Sequence, residues 1–318
     1  MVATIVIPNF NGIGFLKDCL DSLRIQSRQD FRVILIDNGS SDGSVEYVHT
    51  RYPEVEIRCF QENRGFCEAV NEGIRMADTP YVILLNNDTI CEATFVEVLV
   101  NAMETHPKYF SCASRMVQMH APERMDNAGD YYCALGWAFA YGKNKPAVNY
   151  REERDIFSAC AGAAIYRSSV FEEIGLFDEV HFAYLEDIDV SWRARIAGYR
   201  CRYIPEAVVH HVGSATSGSV YNEFKTRYSS RNNVYLIYKN MPLLQIILNL
   251  PLLIAGFLVK ILFFARKGFG REYIVGLWKG AALCDKSKKV GFQKKNLKNY
   301  IRIQLELWIN MFRRFGLL

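Results

Sequence analysis

Short apolar runs alternate with helix-spaced apolar positions through the first hundred residues. Residues 4–7, 31–36, 55–60 and 81–85 are apolar runs with Val, Ile or Leu, with the length and content of buried strands. Between them, Phe15, Leu16, Cys19, Leu20 and Leu23 fall on one helical face. Phe66, Ala69, Val70, Gly73, Ile74 and Ala77 do the same, and so do Phe95, Val96, Leu99, Val100 and Met103. Strand and helix in alternation predict an α/β fold, a mostly parallel sheet flanked by helices. Such sheets bind ligands beyond the carboxyl ends of their strands. Those ends are polar here: Pro8-Asn9-Phe10-Asn11, then Asp37-Asn38-Gly39-Ser40-Ser41-Asp42-Gly43, then Glu62-Asn63-Arg64-Gly65, then Asn86-Asn87-Asp88. Any one of them reads as an ordinary turn. Four along one edge predict a site.

The pattern changes further along. Residues 126–150, rich in aromatics and glycine, read as an irregular connection lining a cleft. Residues 157–166 read as a buried strand with small side chains from 159 to 164. A helix is predicted to start at Glu186-Asp187-Ile188-Asp189, with Ile188, Trp192 and Ile196 on its buried face. A strand at 207–209 leads into His210 and His211. Residues 240–259 are uncharged and mostly apolar, long enough to span a bilayer at about 20 residues. Pro242, Pro251, Gln245 and Asn249 interrupt that run, so a membrane-surface helix or hairpin is expected over a spanning one. The alternative is a helix packed on the body or on a second subunit. Ile301, Leu305, Trp308, Ile309 and Phe312 mark one face of a last helix. The expected organisation is a catalytic domain over 1–237 and a helical, basic and apolar membrane-associating region over 238–318.

Charge sharpens that division. The chain has 38 Lys and Arg against 34 Asp and Glu, a net +4. Residues 238–318 hold fifteen basic and three acidic side chains, a balance of +12, which leaves −8 on the preceding part. A basic, apolar tail on an acidic body points to an anionic membrane surface and away from nucleic acid. The nine cysteines are scattered, without Cys-x-x-Cys pairs or zinc spacing. This suggests a reducing compartment, and the N-terminal residues read at once as a strand, not a secretory leader.

The candidate chemistry lies in the acids. Gly12-Ile13-Gly14 opens like a dinucleotide fingerprint, but Lys17 stands where the third glycine belongs, and no Walker-type loop occurs. Asp88, at a strand end after two Asn side chains, suits a hard divalent cation, Mg²⁺ or Mn²⁺. At the predicted helix start, carboxylates favour the helix dipole, and Asp189 with Arg193 has ion-pair spacing. Asp187 is not explained this way.

Taken in order, these pieces resemble glycosyltransferase family 2, the inverting GT-A-fold enzymes, over about residues 1–240. They are Ile7-Pro8-Asn9-Phe10-Asn11, the 37–43 loop, Asn63-Arg64-Gly65-Phe66 with Asn71, Asn86-Asn87-Asp88, Gly175-Leu176-Phe177-Asp178-Glu179, Glu186-Asp187, the His211 loop and Arg231-Asn232. The resemblance implies a nucleotide-sugar donor and a base, Asp187. It implies that Asp37 contacts the pyrimidine, with Pro8 and Asn9 beside base and ribose and Asn63 and Arg64 flanking the nucleotide. Asp88 matches the metal-binding acid of the Asp-x-Asp motif, while Asn86 stands in place of its first Asp and can still bond the ribose; Asn86 and Asn87 are both expected to bind substrate. His211, favoured over His210 by its spacing to Ser214 and Thr216, would complete the metal site. Glu186 and Arg231 are further candidates for substrate binding. The wording around Asn86-Asn87-Asp88 and Tyr184-Leu185-Glu186-Asp187 is most similar to bacterial rhamnosyltransferases of surface-polysaccharide assembly. That implies dTDP-rhamnose, a glycan or polyprenyl-linked acceptor and the cytoplasmic face of the plasma membrane. A UDP-sugar donor, an inactive sugar-nucleotide-binding scaffold and a homo-oligomer through the C-terminal helices are the alternatives.

Overall fold

The computed structural model describes residues 1–213 and 221–317. The first half forms as its periodicity predicts: β1 (Ala3–Asn9), α1 (Ile13–Arg24), β2 (Phe31–Asp37), α2 (Ser44–Arg51), β3 (Glu56–Cys59), α3 (Phe66–Met76) and β4 (Tyr81–Leu85). These four strands lie parallel in the order β3-β2-β1-β4. The chain leaves β1 on one side and later returns on the other. The reversal opens a crevice at the carboxyl end of β1. Alternation divides the core: Ile5 and Ile7 face the layer of α1 and α2, and Val6 faces α3. On α3, Gly73 allows this closeness, because a Cβ there would stand 2.2 Å from the Val6 side chain.

The sheet then becomes mixed. It takes in β5 (Thr89–Cys91), β6 (Tyr109–Gln118) and β7 (Ala121–Asn127), with α4 (Phe95–Thr105) before β6. Next come a separate hairpin, β8 (Asp130–Cys133) and β9 (Trp137–Ala140), and then β10 (Arg154–Ile156), β11 (Ala163–Arg167), α5 (Ser168–Ile174), α6 (Glu186–Ala197) and β12 (Arg200–His211). The main order is β10-β12-β6-β11-β4-β1-β2-β3, with β11 antiparallel to both neighbours and β12 parallel to β6. Two expectations change. Residues 126–150 are not an irregular connection throughout, because the β8–β9 hairpin occupies 130–140. The strand expected over 157–166 begins only at Ala163. Before it, Cys160 accepts from the Ala163 N–H and turns the backbone, and the Gly162 carbonyl accepts from Asn86 N–H at 2.8 Å.

The C-terminal part is helical: α7 (Glu223–Asn240), α8 (Leu243–Arg266), α9 (Gly270–Ala282) and α10 (Leu297–Arg314). The division expected between 237 and 238 falls inside α7, which runs unbroken across it. No hairpin forms in the apolar run: α8 is one 24-residue helix with Pro251 inside it. Its polar residues face inward. Gln245 donates to Tyr300 O at 2.9 Å, Asn249 and Gln304 exchange bonds at 2.9 Å, and Trp308 Nε1 reaches Asn249 Oδ1 at 3.1 Å. The outer face exposes Leu244, Ile247, Ile254, Leu258 and Leu262. This is the reverse of a helix facing water.

Candidate active site

At the carboxyl ends of β1 and β4, asparagines organise the crevice. Asn9 Nδ2 donates to Asp37 Oδ1 at 2.9 Å, and Asn87 Nδ2 donates to Asn9 Oδ1 at 2.7 Å. The other Asp37 oxygen accepts from the Ser40 amide at 2.9 Å, as a short turn residue does. Asn38 ties the next loop, accepting from Arg64 N–H and donating to Gly65 O at 3.0 Å. A cavity of about 850 Å³ opens here. Its wall includes Pro8, Asn9, Asn63, Asn86, Asn87, Asp88, Glu186, Asp187 and His211, nine of the residues singled out in the sequence.

Three others stand back from that wall. Asp37 is buried beneath it, engaged by Asn9 and Ser40. Arg64 pairs with Glu68 at 3.0 Å and lies over the Phe60 ring. Arg231, expected to bind substrate, instead donates to the Val180 and His181 carbonyls and to Asn232 Oδ1. Of the two histidines, alternation on β12 turns His211 into the cavity and His210 towards Glu92, 3.6 Å away. Ser214 and Thr216 lie outside the described residues.

Asp187 enters at the first turn of α6, where its Oδ1 accepts from Ile188 N–H at 2.7 Å. Burial raises its carboxyl to about 6, while hydrogen bonds from Ile188 and Asp130 oppose the rise. Beside it, burial and the Asp187 charge lift Glu186 to about 8. Glu186 Oε2 has no hydrogen-bond partner among the described residues. Asp130 is pushed well above the usual carboxylate range, first by burial and then by Asp187. The three acids differ in environment, and the least raised of the three is the one suited to take up a proton at neutral pH.

The second feature is a carboxylate–imidazole–carboxylate series. His211 Nε2 lies 3.2 Å from Asp88 Oδ1, and Nδ1 lies 2.8 Å from Asp126 Oδ2, which is also paired with Lys143. Burial would lower the imidazole, but the two carboxylates prevail and raise it to about 9. Protonated, the imidazole balances Asp88 and Asp126; to ligate a cation it would give up its Nε2 proton. Asp88 and His211 fit a divalent cation, with Asp126 orienting the imidazole from behind. Two other groups have ligand-like spacing, Asp178/His181/Asp189 and Asp130/Cys160/Asp187. In the first, Lys239 Nζ already sits 2.7 Å from Asp178 and 2.8 Å from Asp189, so its charge is balanced. The second contains Asp187 and belongs to the acid cluster.

Sequence reasoning missed Asp126, Asp130, Lys143, Phe182 and the Ala138–Ala140 edge of the hairpin, all at or just behind this cavity. Asp126 and Asp130 were visible as two acids four apart in a glycine- and aromatic-rich stretch. Nothing local ties that stretch to residues 88, 187 and 211.

The model of glycosyl transferase family 2 matches residues 4–175, more than half of the chain. The protein belongs to glycosyltransferase family 2. It has the GT-A fold, and it is a glycosyltransferase that uses a nucleotide-sugar donor. An N-acetylglucosaminyl-diphospho-decaprenol L-rhamnosyltransferase of Mycobacterium tuberculosis is 26% identical over 241 residues, covering 68% of this chain and 78% of that one. A mannosyltransferase of Pyrobaculum calidifontis, solved with GDP-Man and Mn²⁺, superposes with a TM-score of 0.55 at 15% identity, covering 99% of this chain and 83% of that one. The structure of GalNAc-T7 with UDP, GalNAc and Mn²⁺ gives a TM-score of 0.60 at 15% identity. It covers 74% of this chain, and the transferase spans 47% of that one. Both structural relatives were solved with Mn²⁺, and both likenesses concern the fold.

Proposed function

We propose that this transferase moves rhamnose from dTDP-rhamnose, with inversion, to a glycan or polyprenyl-linked acceptor in surface-polysaccharide assembly. The observation that carries the chemistry is one cavity holding both Asp187, a half-buried carboxyl raised to about 6, and the Asp88–His211 pair. Inversion is a single displacement at the anomeric carbon. Asp187 takes the proton of the acceptor hydroxyl as its oxygen bonds to that carbon, and the bond to the nucleoside diphosphate breaks. A divalent cation held by Asp88 and His211, Mg²⁺ or Mn²⁺, would offset charge on the departing diphosphate. Asn9, Asn63, Asn86 and Asn87 offer neutral hydrogen bonds to base, ribose and sugar, and Pro8 an apolar edge. The rhamnosyl donor is supported by the mycobacterial relative's name.

The same reading gives the halves of the chain different tasks. Residues 1–237 carry the catalysis and residues 238–318 address it to the cytoplasmic face of the membrane. One described helix, Leu243–Arg266, is long and apolar enough to cross a bilayer, with a mean hydropathy of 2.4 over its most apolar 18-residue stretch. Its inner face packs on the body from Gln245 to Phe264, which favours a helix lying in the membrane surface.

The test is a thermal-shift panel of dTDP-rhamnose, UDP-sugars and GDP-sugars, each with and without Mg²⁺ or Mn²⁺. A ligand bound by the native state raises Tm with the logarithm of its excess over Kd. A cation-dependent shift with dTDP-rhamnose supports the proposal. A shift with a UDP-sugar alone replaces the donor, and no shift with any donor favours an inactive scaffold.

A further inference from the structure

The segment leading into Asp187 holds an uncommon backbone. Phe182, Tyr184 and Leu185 have φ of 62°, 74° and 66°, left-handed values that residues with a Cβ adopt only where surroundings impose them. The Phe182 and Tyr184–Asp187 side chains line the cavity, so this backbone sets what the cavity presents.

One side chain holds three of its carbonyls. Asn232, on α7, is fully buried and does not line the cavity. Its Nδ2 donates to three carbonyls of the segment: His181 O at 2.9 Å, Ala183 O at 2.8 Å and Tyr184 O at 2.8 Å. Its Oδ1 accepts from Arg231 Nε at 2.9 Å, and the Arg231 guanidinium holds the Val180 and His181 carbonyls. Further along α7, Tyr235 and Lys239 bond Asp178, and Lys239 and Asn240 bond Asp189. Residues 178–189 are thus fixed at both ends and in the middle by a single helix. From the nucleotide side, Cys67 N–H donates to Phe182 O at 3.3 Å. A Cβ on Gly65 would stand 2.5 Å from the Phe182 ring.

We propose that Asn232 is a positioning residue for the catalytic base. By tying carbonyls 181, 183 and 184 to α7, it fixes the direction from which Asp187 meets the acceptor hydroxyl. The proposal rests on reading Asp187 as that base. Arg231 braces Asn232 and acts on substrate only through it.

The test compares full-length wild type, Asn232→Asp, Asn232→Gln and Asp187→Asn in detergent. Asn232→Asp keeps the shape and the acceptor for Arg231 but removes the N–H donors. Asn232→Gln keeps an amide displaced by one methylene. Two quantities are followed: hydrogen exchange of amides 182–189 without ligand, and release of dTDP from dTDP-rhamnose. In Asn232→Asp the segment exchanges about tenfold faster while β1 does not change, and kcat falls about 10²-fold at an unchanged donor KM. Asn232→Gln recovers part of both. Wild-type exchange in Asn232→Asp overturns the proposal, whether or not dTDP-rhamnose is turned over, and so does a joint loss of kcat, KM and Tm. Asp187→Asn separates the failures. Wild-type turnover in that variant removes the base and the proposal with it. An inactive Asp187→Asn beside a fully active Asn232→Asp removes the positioning role alone.

Discussion

Asp187, Glu186 and Asp130 share a buried corner of the cavity, yet burial and mutual repulsion separate their proton affinities. With its carboxyl raised to about 6, Asp187, as the proposed base, must lose a proton before it can accept one from the acceptor. Turnover should therefore fall as pH drops through about 6, with Asp130, Glu186 and the partly buried Cys160 as the titratable neighbours. A pH profile of kcat checks this, and Asp187→Asn should remove most turnover while keeping donor binding. Glu186 gives a stability prediction of opposite sense. Its folded value, about 8, lies above the ordinary 4.5 of a glutamate, so the folded state binds its proton more tightly. Stability is full below the unfolded value and is lost as pH rises through 8. Glu186→Gln, which mimics the protonated acid, should flatten the decline of Tm between pH 5 and pH 9. An unchanged decline would assign it to other groups.

Helix α7 is the element that joins the site to the rest. Lys239, near its end, is buried between Asp178 and Asp189, and Asp189 also pairs with Arg193 at 3.0 Å. Lys239→Met would leave buried carboxylates short of a counter-charge, a change that costs about 3–5 kcal/mol. A urea titration should show the loss, with Asp187 displaced as well. The α8 helix depends on close approach instead. A Cβ on Gly256 would stand 2.0 Å from the Leu135 carbonyl oxygen, and Trp137 Nε1 donates to Gly256 O at 3.1 Å. Gly256→Ala should lift α8 off the β8–β9 hairpin and destabilise by about 1–3 kcal/mol. An unchanged unfolding midpoint would mean that the hairpin yields.

For the whole molecule, α8 and α10 leave Leu244, Ile247, Leu258, Ile301, Leu305 and Phe312 exposed, on the part of the chain with a balance of +12. Exposed apolar patches mark interaction sites. Binding to phosphatidylglycerol vesicles should weaken on raising salt, and Leu244→Ser with Leu258→Ser should weaken it at any salt. If flotation is unaffected by those substitutions and light scattering finds a dimer, a second copy covers the surface. The sequence by itself determined the alternating strands and helices, the polar strand ends, the start of α6 at Glu186 and the basic, apolar tail. These follow from side-chain periodicity and local backbone preference, which act over a few residues. Only the tertiary structure decided that Asp126 backs His211, that Asp130 lies beside Asp187, that Arg231 and Asn232 hold the segment before Asp187, and that the polar residues of α8 face inward. Those pairings join residues up to 85 apart, and their partners are set by chain packing, which leaves no periodic mark along the chain.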